Sequence, residues 1–209
     1  MPSAPDKGEG FIRTHDLLAE LMADIQAAYQ TIDADKQSQY LRRCVVRAVF
    51  SYIEAAVECL KVELRSSVRL GYFPEENLSA KDKETLGSLS IFPDQNGKFL
   101  TLDSNIKRTF KLASKIWSLD FKLRTGQDYK DFLSAKYARN KLTHPRTFYD
   151  IQVTDEDMEY HTVAAWWVQR ELERLINSRI EDLAKTLSGP DRERLLSAIS
   201  VPHEPKHQD

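Results

Sequence analysis

Apolar positions recur along most of this chain at three- and four-residue spacing, the period of a helix with one buried face. Leu17, Leu18, Leu21, Met22, Ile25, Tyr29 and Ile32 predict a helix over about 14–33. A longer helix is predicted over about 37–70, where Leu41, Cys44, Val45, Ala48, Val49, Tyr52, Ile53, Ala56, Val57, Leu60 and Leu64 cover a wide arc. A helix apolar around so much of its circumference touches several neighbours, so this one is expected at the centre. Gly71 and Pro74 end it.

The period then lapses. Residues 71–103 read as irregular, with a short helix near 80–88 that Ser79 and Asp82 open as a capping box. Within IFPDQNGKFL, Asn96-Gly97 between apolar flanks is a strong hairpin signal, so a small β-hairpin insertion is expected over 91–101. Asp103 or Ser104 is expected to cap a helix over about 105–119, with Ile106, Phe110, Ala113 and Trp117 on one stripe. A further helix runs over about 127–144 and stops before Pro145, because proline disfavours helical geometry in the preceding residue. Thr154, followed by Asp155, Glu156 and Asp157, opens the last long helix, to about Leu187. On it Trp166 is expected to face the core, with Trp167 near a boundary and His161 at the core edge or surface. The fold class expected is all-α, an up-and-down bundle of about five helices. Residues 1–11 form a lead-in, 12–187 the helical domain, and 188–209 a short helix and flexible tail.

Composition agrees with this picture. The 209 residues include only seven glycines, and 30% are charged, which favours helices over a β-sandwich. Residues 1–11 lack the basic-then-apolar pattern of a signal peptide, and no apolar run approaches the ~18–20 residues that span a bilayer. No membrane association is expected. Cys44 and Cys59 sit inside an apolar helical pattern without metal-type spacing, as buried free thiols of a cytoplasmic protein would. Phosphate-cradling glycine loops, HExxH and GxSxG are all missing, so no cofactor and no metal is expected.

One cluster of candidate chemistry is left, in YARNKLTHPR at 137–146. Cationic residues in a last helical turn followed by proline are ordinary C-terminal signals, which explain Lys141, His144 and Pro145 without chemistry. Asn140 and His144, four apart, share a helical face. Arg139 lies about 140° from His144, with a stem long enough to fold toward it. A guanidinium, an amide and an imidazole then meet at one helix end, where phosphate oxygens can be bound bidentately. Charge adds weight: residues 107–146 sum to +8 and 150–187 to −5, in a chain of net charge −2. A solvated helical face and a polyanion partner both fit that distribution.

The segment ARNKLTHP, before a last helix that starts with acids, resembles the signature of the HEPN superfamily: Arg, four to six residues, then His, often with Asn after the Arg. VFSYIEAAVECLK resembles the central helix of such bundles and makes Glu54 a secondary candidate. The resemblance implies a metal-independent endoribonuclease acting on RNA, with Arg139, Asn140 and His144 catalytic and Lys136, Lys141, Arg146 and Glu54 as substrate-binding candidates. It also implies a homodimer that unites two motifs in one cleft, and an antitoxin or defence-system partner. Other members are catalytically silent modules that bind RNA or protein, and an unrelated helical interaction protein with a plain cap is a third reading. One subgroup continues the motif as His-x-Tyr, whereas here Pro145-Arg146 follows His144, so regulation through that tyrosine is not expected.

Overall fold

The computed structural model describes residues 9–87 and 100–197. Within them all regular structure is helical: α1 (Glu9–Asp33), α2 (Gln39–Arg69), α3 (Ala80–Leu86), α4 (Leu102–Ile116), α5 (Gln127–Thr143), α6 (Asp155–Ala184) and α7 (Gly189–Ser197), with 3-10 turns at Glu75–Asn77 and Phe148–Ile151. The five long helices are those the periodicity predicts, and the fold is all-α. The expected hairpin falls almost wholly on residues 88–99, outside the described residues, as does the expected tail beyond 197. Helix α1 begins at Glu9, before the start near 14 that the periodicity predicts.

Helix α2 is the axis of the fold. Val45, Val49, Ile53 and Leu64 are without solvent contact, and α1, α4, α5 and α6 all close over this helix. It ends as Gly71 adopts a left-handed conformation at φ 76°. The Tyr72 N–H then reaches the Ser67 carbonyl at 3.0 Å and the Gly71 N–H the Val68 carbonyl at 3.0 Å, so the last orphan carbonyls are capped. Ser79 with Asp82, and Thr154 with Asp157, form the capping boxes that open α3 and α6. Helix α4 starts earlier than expected: Thr101, not Asp103 or Ser104, is its cap, which places Asp103 in the first turn. There it receives Lys136 of α5 at 2.6 Å.

The tryptophan pair is reversed from the sequence expectation. Trp167 is 2% exposed and Trp166 37%. The buried stripe of α6 runs through Ala164, Trp167, Val168, Glu171 and Leu175, so it includes a charged residue. Tracing the stripe through apolar residues alone therefore turns it by about one position, or 100°. Glu171 is buried because it is satisfied: it accepts from the Arg124 N–H at 3.1 Å and from Arg174. Trp167 lies 5.2 Å from both Tyr129 and Phe132, and its indole N–H donates to the Arg124 carbonyl at 3.0 Å. The loop between α4 and α5 is thereby held on α6, which sets where α5 begins. His161 is likewise buried rather than at an edge. Cys59 is a buried free thiol as expected, whereas Cys44 is only half-buried.

Removing the buried indole removes its contacts with Tyr129 and Phe132 as well as the Arg124 bond. Trp167→Ala is expected to lower stability by about 3–5 kcal/mol, the range for large-to-small changes in a core. Trp166→Ala should cost no more than about 1 kcal/mol. Urea unfolding of the two variants measures both, and the opposite ranking would return the helix to the register expected from apolar residues alone.

Candidate functional site

Helix α5 stops where the sequence says it must. His144 is its C-cap, with φ −130° and ψ 61°, outside the helical region that Pro145 denies it. Its backbone N–H still reaches the Asn140 carbonyl at 3.0 Å, so the final turn is closed. Beyond it, Thr147 and Asp150 form a capping box around the turn Phe148–Ile151. The Asp150 carboxylate accepts from the Arg146 N–H at 2.9 Å and the Thr147 N–H at 2.8 Å. Those two backbone donors hold its carboxyl below the usual carboxylate range.

The linker is then fastened to the first turns of α2. Arg43 donates to the Ile151 carbonyl at 3.1 Å, and Gln39 exchanges two hydrogen bonds with the Val153 backbone, at 2.8 and 3.1 Å. Buried Arg42 donates to the Lys36 and Val153 carbonyls, each at 2.8 Å, and pairs with Asp155. Thus α2 fixes both the start of α6 and the chain leaving the motif.

Between α2 and the end of α5 lies a groove of about 280 Å³. One wall is a polar stripe of α2 spaced four, four and three residues apart: Arg43, Arg47, Ser51 and Glu54. The other wall is Arg139, Leu142 and Thr143, and Val46 and Phe50 contribute apolar surface. Arg139 bridges the walls. Its Nη2 donates to the Glu54 carboxylate at 2.7 Å, its Nη1 reaches the Asn140 side-chain oxygen at 3.3 Å, and its guanidinium carbon lies 5.7 Å from the centre of the Phe50 ring. The ion pair is partly exposed, so its contribution to stability is about 0–1 kcal/mol. Its effect is on direction: it aims a guanidinium with donors to spare into a groove that already holds two others.

The structure thus brings Arg139, Glu54 and Asn140 together. His144 is exposed and stands one residue beyond Thr143, outside the groove lining, and helical spacing sets it about 140° from Arg139 around α5. Lys136 is occupied by Asp103 and serves the α4–α5 contact rather than the groove. Lys141 lies 5.2 Å over the Tyr137 ring, and Arg146 is exposed. Part of the positive charge of 107–146 is spent in ion pairs: Arg108 with Glu84 and Lys115 with Asp82 repeat the pattern of Lys136. The cations that line the groove beside Arg139 come instead from α2. Arg43 and Arg47 are not singled out by the sequence reading, although their spacing from Glu54 is a legible polar stripe on α2. No group of three or more metal-ligating side chains lies together among the described residues.

Behind Phe50 stands His161, edge-on with ring centres 5.6 Å apart. Its Nδ1–H donates to the Asp157 carbonyl, and its Nε2 has no hydrogen-bond partner among the described residues. Burial pushes its pKa below the ordinary value of 6.5. The unfolded chain therefore takes up this proton first. The stability that neutral His161 contributes is complete above about pH 6.5 and is lost as pH falls through the lowered folded value. Thermal melts at falling pH should show this loss, and His161→Leu should flatten that part of the profile. An unchanged slope in the variant would assign the acid sensitivity to carboxylates.

No protein-family model matches the chain, and no curated protein or solved structure is significantly similar to it. The chemistry of the site rests on its own geometry.

Proposed function

We propose that this protein is an endoribonuclease of the HEPN type, with the groove between α2 and α5 as its phosphate site. The observation that carries this reading is the convergence of Arg43, Arg47 and a Glu54-oriented Arg139 in one groove at the end of the helix that presents His144. Three guanidiniums against one carboxylate favour an anion, and planar donors match phosphate oxygens in particular. In this reading Arg139 neutralises the charge that grows on the phosphate, and Asn140 steadies it through the 3.3 Å contact.

His144 moves the proton. As a base it takes the proton of the ribose 2′-OH, whose oxygen attacks the adjacent phosphorus while the bond to the 5′ oxygen breaks. The leaving 5′ oxygen takes up a proton from the imidazolium or from water, which gives 2′,3′-cyclic phosphate and 5′-hydroxyl ends. Because His144 and Arg139 lie about 140° apart around α5, they serve one phosphate across a cleft shared by two protomers, the homodimer that the resemblance implies. The HEPN bundle, the dimer, and any antitoxin or defence-system partner belong to this proposal. A silent module that binds RNA without cutting it would use the same groove, and the separation of His144 from Arg139 within one chain is the observation on its side.

His144→Ala and Arg139→Ala are each expected to abolish RNA cleavage and to change stability by no more than about 1 kcal/mol, since both side chains sit at a partly or fully exposed helix end. The all-deoxy strand should bind and stay uncut, since it lacks the attacking hydroxyl. An RNA cleavage assay with end-group analysis, run beside circular dichroism melting and light scattering, tests all of this. Retained cleavage in both variants, or 5′-phosphate ends, would remove the mechanism. Binding by a dimer without cleavage would select the silent module.

A further inference from the structure

Around the C-terminal end of α5, three large aromatic side chains stand in solvent. Tyr137 is 66% exposed, Phe148 70% and Tyr149 80%. Helical spacing puts Tyr137, Lys141 and His144 within about 60° of one another, and Phe148 and Tyr149 follow just after the helix end. Apolar rings left this open are ordinary when scattered singly; grouped around one motif they mark a contact surface.

These rings are not on a slack loop. Phe148 and Tyr149 lie edge to face, with centres 6.1 Å apart, on the turn that Thr147 and Asp150 cap. The Gln152 N–H donates to the Tyr149 carbonyl at 3.2 Å, and Arg43, itself a groove residue, holds the Ile151 carbonyl two residues on. Rigid rings with two torsions each lose little entropy when something stacks on them. The surroundings are basic: Lys141 stands over Tyr137, Arg146 is exposed between α5 and the turn, and Arg43 and Arg47 line the adjoining groove. The nearby acids are engaged, Glu54 by Arg139 and Asp150 by backbone N–H groups.

We propose that Tyr137, Phe148 and Tyr149 form a base-stacking platform for single-stranded RNA, contiguous with the phosphate groove and lying across the end of α5. The proposal rests on reading that groove as a phosphate site. Every base offers a ring face to an exposed aromatic side chain, and a basic track beside such rings is the arrangement by which proteins hold unpaired strands. A duplex keeps its bases stacked inside and offers the platform nothing. The proposed dimer cleft needs His144 opposite the partner's groove, not these rings opposite their own copies, where isologous pairing would set Lys141 and Arg146 against their counterparts.

Fluorescence anisotropy of a labelled single-stranded 2′-O-methyl RNA, which has no free 2′-OH to attack, separates stacking from charge. The second probe is the same strand with abasic positions. Phe148→Ala and Tyr149→Ala should each weaken binding of the base-bearing strand roughly 5- to 150-fold and leave the abasic strand unaffected. Phe148→Tyr and Tyr149→Phe should restore most of the affinity. Arg47→Ala should weaken both probes alike. Aromatic variants that bind both strands as the wild type does, while Arg47→Ala still weakens them, would overturn the platform and leave the groove standing. Failure of the wild-type protein to bind either probe would remove groove and platform together. Variants that alter oligomeric state in light scattering at unchanged affinity would make the rings a contact between copies and overturn the proposal.

Discussion

The hydrogen bonds from the first turns of α2 to the chain between α5 and α6 decide where the candidate site can be. Pro145 stops α5 abruptly, and the residues that follow belong to no long helix. Their carbonyls need partners, since an unpaired buried backbone group costs about as much as a lost hydrogen bond. Gln39, Arg42 and Arg43 supply those partners at Ile151 and Val153, and Arg42 also pairs with Asp155 at the start of α6. One helix turn thus locates the exit from the motif and the next helix together. The end of α5 has little freedom left relative to α2, and a groove between two such elements keeps its shape.

Helix α2 has to satisfy two demands. Its apolar arc is enclosed by the helices around it, yet Arg43, Arg47, Ser51 and Glu54 form a polar strip where enclosure is incomplete. Closing α5 more tightly there would strip water from two arginines without offering them carboxylates, which is costly. The groove is what such a strip leaves open. Glu54 is the only acid of the four positions, and it is spent on Arg139. The local field therefore stays positive while the one guanidinium that comes from α5 is held in a defined direction. An exposed pair of this kind adds little stability. Its place in the groove is better explained by orientation.

How much of this is legible in the sequence varies with the kind of signal. The long helices are readable because each buries a stripe, and their ends because Gly71, Pro145 and the Ser79 and Thr154 caps are local chemistry. Arg139, Asn140, His144 and Glu54 are readable as candidates from a motif, and three of the four do meet. Register within α6 is misread because His161 and Glu171 are buried polar residues, and their burial depends on partners elsewhere: Glu171 on the Arg124 backbone across the fold, His161 on the ring of Phe50. Arg43 and Arg47 are missed for a related reason. A polar strip on a helix ordinarily faces solvent, and nothing local says that α5 will stand across it. The charge balance of 107–146 is legible as a sum but not as a surface, because Lys136, Arg108 and Lys115 find acids on other elements.

Two explanations of YARNKLTHPR begin as rivals, an ordinary helix end and a reactive cluster. The geometry separates what each accounts for. Helix termination explains Pro145, the closed last turn at His144 and the cations of that turn, and requires nothing of α2. It does not explain why Arg139 reaches across to Glu54, or why Arg43 and Arg47 line the same groove. Nor does it explain rings held rigidly in solvent just past the cap. A helix end is also a cheap place for chemistry: side chains there carry little packing, so their identity is constrained weakly by stability and can be set by function. The rigid scaffold lies underneath, in the linker bonds to α2 and the Trp167 cluster that positions the start of α5. Termination and the proposed reactivity are thus compatible, because the same proline that ends the helix leaves His144 exposed at its tip.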